Sequence, residues 1–584
     1  MTDLATEAGV ADESVPSHAA RSLSDLNAKR GAPPWVATAI RSDPATVWEH
    51  LRAQLPRPLA DAPELRFPLL DSAAGRANAL VTGAENLREV TLPSETERLQ
   101  LLVLLLDRFA RGSLPQSDDT LRDLWWWIWN ESERFSADDF SFEDPFSRLL
   151  HAEILIASGV YFTGFAGMRT RAKKGRKQLW DEVARRTDTD GTPAAELLDL
   201  TAGWLASLER SRGWMIAGEM RWGKSRELEL YDGMLRSVAT MLRADGTCSG
   251  TESGEVATCL HAAGQSLNWK NADPAIRFLS RVTDTGKSRG SKPKRGDKQS
   301  TAVQSEWAKV MATRSAWTAE ADLLMARHDG PLPFLEWHIG GNAVMAGDWG
   351  LDIRVDGEPV ELTANWDAVS WFEDREVVYL ELQLSGVTDP VICRQLLWTR
   401  GDQQLWLADS ISTPTRPESE IEVISRLPFA DGWAFEQRQP TRELRLTRSR
   451  GETIRCVPLA FPMQATQEGP GSIRAAAGEF QIRQTGRGGV YCPLLFDWHS
   501  PRRNSPVDWR TLTVTEDGRR LSGAEAFAAR MRIGPQQWLI YRNMNGSTAM
   551  RAAIGYHHNQ ESVIGRFTRD GEVDPLVLVE AGDD

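Results

Sequence analysis

The sequence predicts a helical domain followed by a large antiparallel β-domain. Three observations predict it. Up to about residue 280, apolar residues recur at helical spacing. Residues 284–300, DTGKSRGSKPKRGDKQS, then contain no apolar residue at all. Beyond them, short alternating or β-branched runs recur with turn signals between them, which is the pattern of strands.

Residues 1–30 are polar and rich in Ala, Ser and Asp, and are expected to form a disordered tail. Residues 31–283 are expected to be helical. Ser94 followed by Glu97 reads as a capping box, Leu99–Leu106 is an apolar run, and Gly112 suits the position after the helix end. Asp123–Asn130 carries Trp125, Trp126, Trp127 and Trp129, so some indoles must point away from the core face. Thr192-Pro193 predicts a helix start with Pro in its first turn. Leu197, Thr201, Trp204 and Leu208 then share one helical face, and Gly213 is expected to end it. Asp190-Gly191-Thr192 recurs as Asp245-Gly246-Thr247, a sign of repeated helical hairpins in a solenoid or α/α toroid.

Residues 284–301 are expected to be a charged linker, and residues 302–584 a β-sandwich. Asp322–Arg327 and Phe334–Ile339 read as strands around the turn His328-Asp329-Gly330-Pro331. Ala343–Ala346 follows a Gly340-Gly341-Asn342 turn, and Arg394–Thr399 faces Gln404–Asp409 across Arg400-Gly401-Asp402. Further strands are expected at Glu420–Ser425, Leu444–Arg448, Thr453–Pro458, Phe480–Gln484, Thr511–Thr515, Trp538–Arg542 and Ser562–Phe567. The simplest arrangement of so many short strands is two packed sheets.

Composition narrows the function. A hydrophobic share of 41% with 26% charged residues suits a globular protein. The net charge of −13 argues against a general nucleic-acid binder, which needs a basic face to neutralise phosphates. Two basic runs, Arg169–Lys177 and Lys287–Lys298, read first as solvated loops. Twenty-three Trp against six Tyr supply core aromatics or flat platforms for sugar rings. Five Cys without a CxxC pair do not make a disulfide framework. The first twenty residues lack a basic segment followed by an apolar one, so a cytoplasmic location is expected. Ile154–Met168, the most apolar stretch, is too short to span a bilayer, so no membrane partner is expected. HExxH, P-loop and GxSxG patterns are absent, and His557-His558 lacks zinc-ligand spacing; no cofactor and no metal are expected.

One stretch carries a resemblance. It runs through Trp307, Arg314 and Trp317, the two strands about His328, Gly340-Gly341, and Gly347-Asp348-Trp349-Gly350. It continues in Leu397-Trp398-Thr399-Arg400-Gly401-Asp402 and Leu407-Ala408-Asp409-Ser410. This order resembles the start of the β-domain of heparinase II/III-like polysaccharide lyases. The resemblance implies an N-terminal α/α toroid followed by a large antiparallel β-sandwich. It also implies an acidic polysaccharide or oligosaccharide as partner, bound in a cleft between toroid and first hairpin, and cleavage by β-elimination.

Such a reaction needs the substrate carboxylate neutralised, a base for the α-proton and an acid for the leaving oxygen. The resemblance implies a Tyr and an Asn or His from the toroid and a His from a β-domain loop. That loop is short here, and His328 is the residue it offers. Neither Asp-Gly segment is closely followed by Tyr; Tyr231 precedes Asp245 and His261 follows it. The expected set is therefore Tyr231 for proton transfer, His328 as its partner and His261 to neutralise the carboxylate. Asp245, Glu252 and Arg327 are expected to bind substrate. His338 lies within a strand and reads as a packed sheet residue. Two alternatives stay open: a non-catalytic glycan-binding or structural protein on the same scaffold, and a glycoside hydrolase using Asp245, Glu252 and Glu255.

Overall fold

The structure is a computed structural model. It describes residues 57–60 and 71–581, except 86–93, 138–139, 141, 164, 166, 250–254, 271–272, 284–300, 363–365, 449–450 and 477–478. The expected tail at 1–30, the basic run Lys287–Lys298 and Glu252 lie outside the described residues. Every described α-helix precedes residue 284, and every described strand follows residue 301. The fold class is that of a helical toroid followed by an antiparallel β-sandwich. Packing forms two compact units: Met1–Gly191 with Leu197–Leu235 and Gly250–Trp269, and Thr192–Glu196 with Arg236–Ser249 and Lys270–Asp584.

In the first unit, α1 (Asp71–Thr82) precedes α2 (Glu95–Ala110). Ser94 caps α2 by accepting the Glu97 amide at 3.2 Å, and Gly112 beyond its end has φ of +82°, the left-handed conformation that glycine adopts without cost. In α3 (Asp118–Arg134), Trp125, Trp126 and Trp129 are buried and Trp127 is half-buried, so one indole of the run turns outward. The apolar stretch from Ile154 belongs to a core helix, α4 (Pro145–Tyr161), buried along almost its whole length. It crosses α5 (Met168–Arg186) at very close range: a Cβ on Gly159 would sit 2.6 Å from the Ala172 nitrogen, and one on Gly175 2.7 Å from the Ala152 carbonyl oxygen.

Two expectations change here. Arg169–Lys177 is part of α5 and not a loop, and two of its cations pair with acids: Arg171 with Glu133, and Arg176 with Glu227 at 3.2 Å. The helix expected from Thr192 begins later. A 3₁₀ segment, Ala195–Leu200, leads into α6 (Thr201–Ala217), which runs through Gly213 and stops at Gly218. A mid-helix glycine costs only about 1 kcal/mol; burial of Trp214 and Met215 beyond it outweighs that. The chain continues in α7 (Ser225–Met241), α8 (Glu255–Ser266) and α9 (Pro274–Thr283).

The β-strands begin with an antiparallel sheet of β1 (Ala302–Ser305), β2 (Val310–Arg314), β3 (Leu323–Arg327), β4 (Phe334–Ile339) and β5 (Asn342–Asp348). Arg314 at the end of β2 is buried and donates to the carbonyls of Ala239 and Ala316 at 3.0 and 2.9 Å, so it satisfies a carbonyl near the end of α7. Its guanidinium lies 4.0 Å from the Phe278 ring centroid.

The arrangement beyond is richer than two packed sheets. The eight-stranded sheet, containing Val377–Leu384, Val391–Thr399, Gln404–Ser412 and Gly489–Asp497, is covered on both faces. Leu380, Leu396, Leu407 and Leu494 face a core shared with Ile353, Val423 and Ile482 of a five-stranded sheet. Tyr379, Leu397, Trp406 and Leu495 face a second core, shared with Trp509, Trp538 and Ile540 of a C-terminal five-stranded sheet. Strands buried on both faces read as unbroken apolar runs. Thr453–Pro458 and Ser562–Phe567 form as expected. The expected strand Thr511–Thr515 does not; it spans the break between Val507–Thr511 and Val514–Glu516, which belong to different sheets.

Candidate functional site

The β3–β4 ribbon pairs Leu323 with His338 and Arg327 with Phe334. Side chains alternate along β4. Leu335 and Trp337 enter the sandwich core, which leaves Glu336 and His338 on the other face. Both are buried, Glu336 to 1% exposure and His338 to 7%. A buried carboxylate must be compensated. Arg243 supplies the cation through a fork of two bonds, Nε to Oε1 at 2.6 Å and Nη2 to Oε2 at 2.9 Å. His338 Nε2 lies 2.8 Å from the same Oε1. These partners outweigh desolvation and hold the Glu336 carboxyl down at about 2.

Arg243 is positioned by the second Asp-Gly-Thr segment. Its Nη1 donates to Thr247 Oγ1 at 3.2 Å, and its backbone amide donates to the Thr247 carbonyl at 2.9 Å. The Thr247 amide and hydroxyl donate to Asp245 Oδ1 at 3.0 and 2.7 Å, an Asx turn closed through Gly246 at φ +82°. His338, Glu336, Arg243, Thr247 and Asp245 thus form one connected chain of hydrogen bonds. His338 Nδ1, buried, has no hydrogen-bond partner among the described residues. A ring oriented by a carboxylate with its other nitrogen unoccupied is the geometry of a general base, here shut away from solvent.

The ribbon ends in Gly340 and Gly341, with φ of +55° and +80°. A Cβ on Gly341 would come within 2.9 Å of Ala244 Cβ, so the left-handed backbone and the close approach both call for glycine. Asp322 fixes this end by accepting the Gly340 amide at 2.9 Å and the Trp498 indole N–H at 3.0 Å.

His328 sits at the opposite end of β3, about 16 Å from the His338 pairing position at about 3.3 Å per strand residue. Turn residues are ordinarily exposed, but His328 is 0% exposed. Its Nδ1 lies 2.9 Å from the Trp366 carbonyl oxygen, and the Trp366 indole donates to Pro331 at 3.1 Å, closing that strand over the turn. Burial lowers the pKa of the ring. Its neighbour Arg327 is half-buried, with its guanidinium 5.1 Å from the Phe334 ring centroid. Asp245 is exposed and joined to the His338 end of the ribbon, so the structure does not unite it with His328.

In the first unit, Tyr231 is fully buried beside Trp180 and Trp222, and its hydroxyl donates to Glu209 Oε1 at 2.7 Å. Burial and Glu209 push the phenol well above its usual range. His261 is half-buried on α8, its Nε2 3.4 Å from Gln265 Nε2 one turn on. No hydrogen bond joins Tyr231 to His261 among the described residues.

Sequence reading passes over Arg243 and Glu336 and treats His338 as packing. The signal was Glu336 and His338 two apart in Phe-Leu-Glu-Trp-His-Ile: two ionisable residues on one face of a strand whose other face is apolar. No group of three or more His, Cys, Asp or Glu suited to a metal exists among the described residues. All five cysteines are buried, and none forms a disulfide. No described helix is long and apolar enough to cross a membrane.

Comparison with solved structures returns the same architecture, a helical domain followed by stacked antiparallel sheets. Heparan sulfate lyase HepC from Pedobacter heparinus superposes with a TM-score of 0.56 at 11% identity, over 86% of this chain and 82% of that one. A Heparinase III described as the BT4657 gene product gives 0.58 at 12% identity, over 87% and 83%. Another Heparinase III gives 0.54 at 10% identity, over 85% and 79%. At such identities the likeness is one of fold. No protein-family profile matches the sequence, and no curated protein matches it.

Proposed function

We propose that this chain binds an acidic polysaccharide on a lyase-like scaffold without cleaving it. The likeness to a heparan sulfate lyase supports the choice of polymer. One observation carries the rest: Tyr231 and His328, the expected proton-transfer pair, are both fully buried and hydrogen-bonded within their own units. A base must come within about 3 Å of the proton it takes. A phenol sealed against Glu209 and an imidazole sealed against Trp366 present nothing to a polymer.

The test is incubation with heparan sulfate and other uronate polymers, followed by ultraviolet absorbance of the conjugated double bond that elimination creates. Retention of the polymer with no rise in absorbance is the expected result. A rise overturns the binding reading.

A second reading rests on His338, which keeps 7% exposure where Tyr231 and His328 keep none, and whose Nε2 is held by Glu336. If absorbance does rise, His338→Gln should abolish it, because the amide keeps a donor for Glu336 but cannot accept a proton. His328→Gln should then leave the rate of elimination unchanged.

A further inference from the structure

The cations of Arg169–Lys177 sort by face once the run is a helix. Arg171 and Arg176 turn toward neighbouring helices and pair with Glu133 and Glu227. Arg169, Lys173 and Lys177 are exposed, and none of the three has an ion pair or hydrogen bond among the described residues. They follow one another at intervals of four, so α5 carries them in one line with about 6 Å of rise between neighbours. Like charges at that spacing repel and cost the helix stability. The helix keeps this line although nothing within the described chain relieves it.

The turn between α6 and α7 widens the line into a patch. Trp180 Nε1 donates to the Trp222 carbonyl at 3.0 Å. Glu227 Oε2 accepts both Arg176 Nη1 at 3.2 Å and the Lys224 backbone amide at 2.6 Å. These bonds hold the turn against the second half of α5 and set Arg221, Lys224 and Arg226, all exposed, beside it. Six exposed cations therefore share one side of the helical unit, in a chain of net charge −13. The exposed acids nearest to them in sequence are Asp181, Glu219 and Glu229, fewer than the cations they adjoin.

A row of fixed cations is complementary to a partner whose negative charges repeat along a chain. Resting on the proposed binding of an acidic polysaccharide, we infer that the outer face of α5, with the α6–α7 turn, is the surface on which that polymer docks. Its carboxylates or sulfates meet Arg169, Lys173 and Lys177 in succession, and the turn supplies cations to charges on the polymer's flank. The negative charge of the rest of the chain repels the polymer elsewhere and so directs it to this face. A lipid surface would call for exposed apolar side chains beside the cations, whereas Met168, Leu179, Trp180 and Val183 of this helix are all buried.

The experiment measures binding of the full chain to heparan sulfate at low salt and its elution from the immobilised polymer in a salt gradient. One variant combines Arg169→Gln, Lys173→Gln and Lys177→Gln, and a second carries only the two lysine changes. A control combines Arg503→Gln, Arg510→Gln and Arg520→Gln, three exposed arginines from the strand-forming part of the chain, and removes the same charge. The α5 triple variant should bind about tenfold more weakly at low salt, as the loss of three exposed ion pairs predicts, with the control within about twofold of the parent. It should also elute earlier and depend less steeply on salt, because fewer counterions are exchanged on binding. Circular dichroism checks its helix content, and the double variant, expected to lose a smaller factor, decides the matter if the triple unfolds. Heparan sulfate bound equally by the parent and the α5 variants, or weakened as much in the control, overturns the docking face and leaves the proposed function standing. Duplex DNA or phosphatidylserine vesicles bound through these residues as tightly as heparan sulfate overturn the polysaccharide assignment. Failure of the parent to retain any acidic polymer overturns the proposed function itself, and the docking face with it.

Discussion

The two ends of the β3–β4 ribbon hold one buried histidine each, and the ends differ in what meets the ring. At one end His328 meets only a backbone carbonyl, that of Trp366. At the other His338 meets a carboxylate that a guanidinium already compensates. A carbonyl oxygen only accepts, so His328 Nδ1 donates to Trp366 and Nε2 is left buried without a hydrogen-bond partner among the described residues. The Glu336 carboxylate likewise accepts from His338 Nε2 and leaves Nδ1 without one. Both rings are oriented; what differs is the group that orients them, a neutral carbonyl at one end and a compensated carboxylate at the other.

The sharpest way to break the comparison is Glu336→Ala. It strips Arg243 and His338 of their shared partner, and removing one member of a buried pair typically costs 3–5 kcal/mol. Arg243 retains 23% side-chain exposure and can recover some hydration, so the low end applies, about 3 kcal/mol. Thermal unfolding should show a fall of roughly 6–12 °C, at about 2–4 °C per kcal/mol for a large unit. A shift within experimental error would mean that the network contributes nothing to stability.

His328→Ala comes second. The ring is fully buried, so the variant loses its bond to Trp366 and opens a void, for about 2 kcal/mol. A parent-like melting temperature, the outcome to expect of an exposed turn residue, would contradict the burial found here.

Much of this is legible in the sequence, and the limits have physical causes. The change from helix to strand is plain because the hydrophobic period changes on either side of a run with no apolar residue. Leu335 and Trp337 mark β4 as a strand with one apolar face. The partner of Glu336 is hidden because Arg243 lies 93 positions away, and no local pattern encodes that pairing. The burial of His328 is hidden for a related reason. His-Asp-Gly-Pro reads as an exposed turn, but Trp366, 38 residues on, folds over it. The loop reading of Arg169–Lys177 fails because the run lies on a helix, from which Arg171 and Arg176 reach acids of other helices, Glu133 and Glu227.

The pH dependence sharpens the contrast. The His328 pKa is lowered by burial, and that of His558 is lowered to about 4, also first by burial. For a base with a lowered folded pKa, the unfolded chain binds the proton first. Stability is full above the unfolded value near 6.5 and falls as pH drops through the folded values. Glu336 acts in a lower window. Its carboxyl, ordinarily near 4.5, is held at about 2, so its contribution is present above 4.5 and lost toward 2. Melting temperature should therefore decline in two stages on acidification. His151 and His499, also lowered by burial, share the upper window, so replacing His328 and His558 with Gln should shrink the upper stage only; loss of the lower stage would misassign both groups.

The smallest expected effect belongs to Asp245, the exposed end of the His338 network. Its Oδ1 accepts the Thr247 amide and hydroxyl, and asparagine keeps a carbonyl oxygen able to accept both. Asp245→Asn should therefore change stability by less than about 0.5 kcal/mol, as for most surface substitutions. It also removes one negative charge next to the network. For a chain that binds a polyanion, losing an exposed negative charge raises affinity modestly, and more so at low salt. Heparan sulfate retention measured at two ionic strengths decides between two roles. Slightly tighter binding that fades with salt makes Asp245 a bystander whose work is holding Thr247 and Arg243. Weaker binding at both ionic strengths makes it a group that accepts sugar hydroxyls, because only the loss of a direct contact would overcome the electrostatic gain.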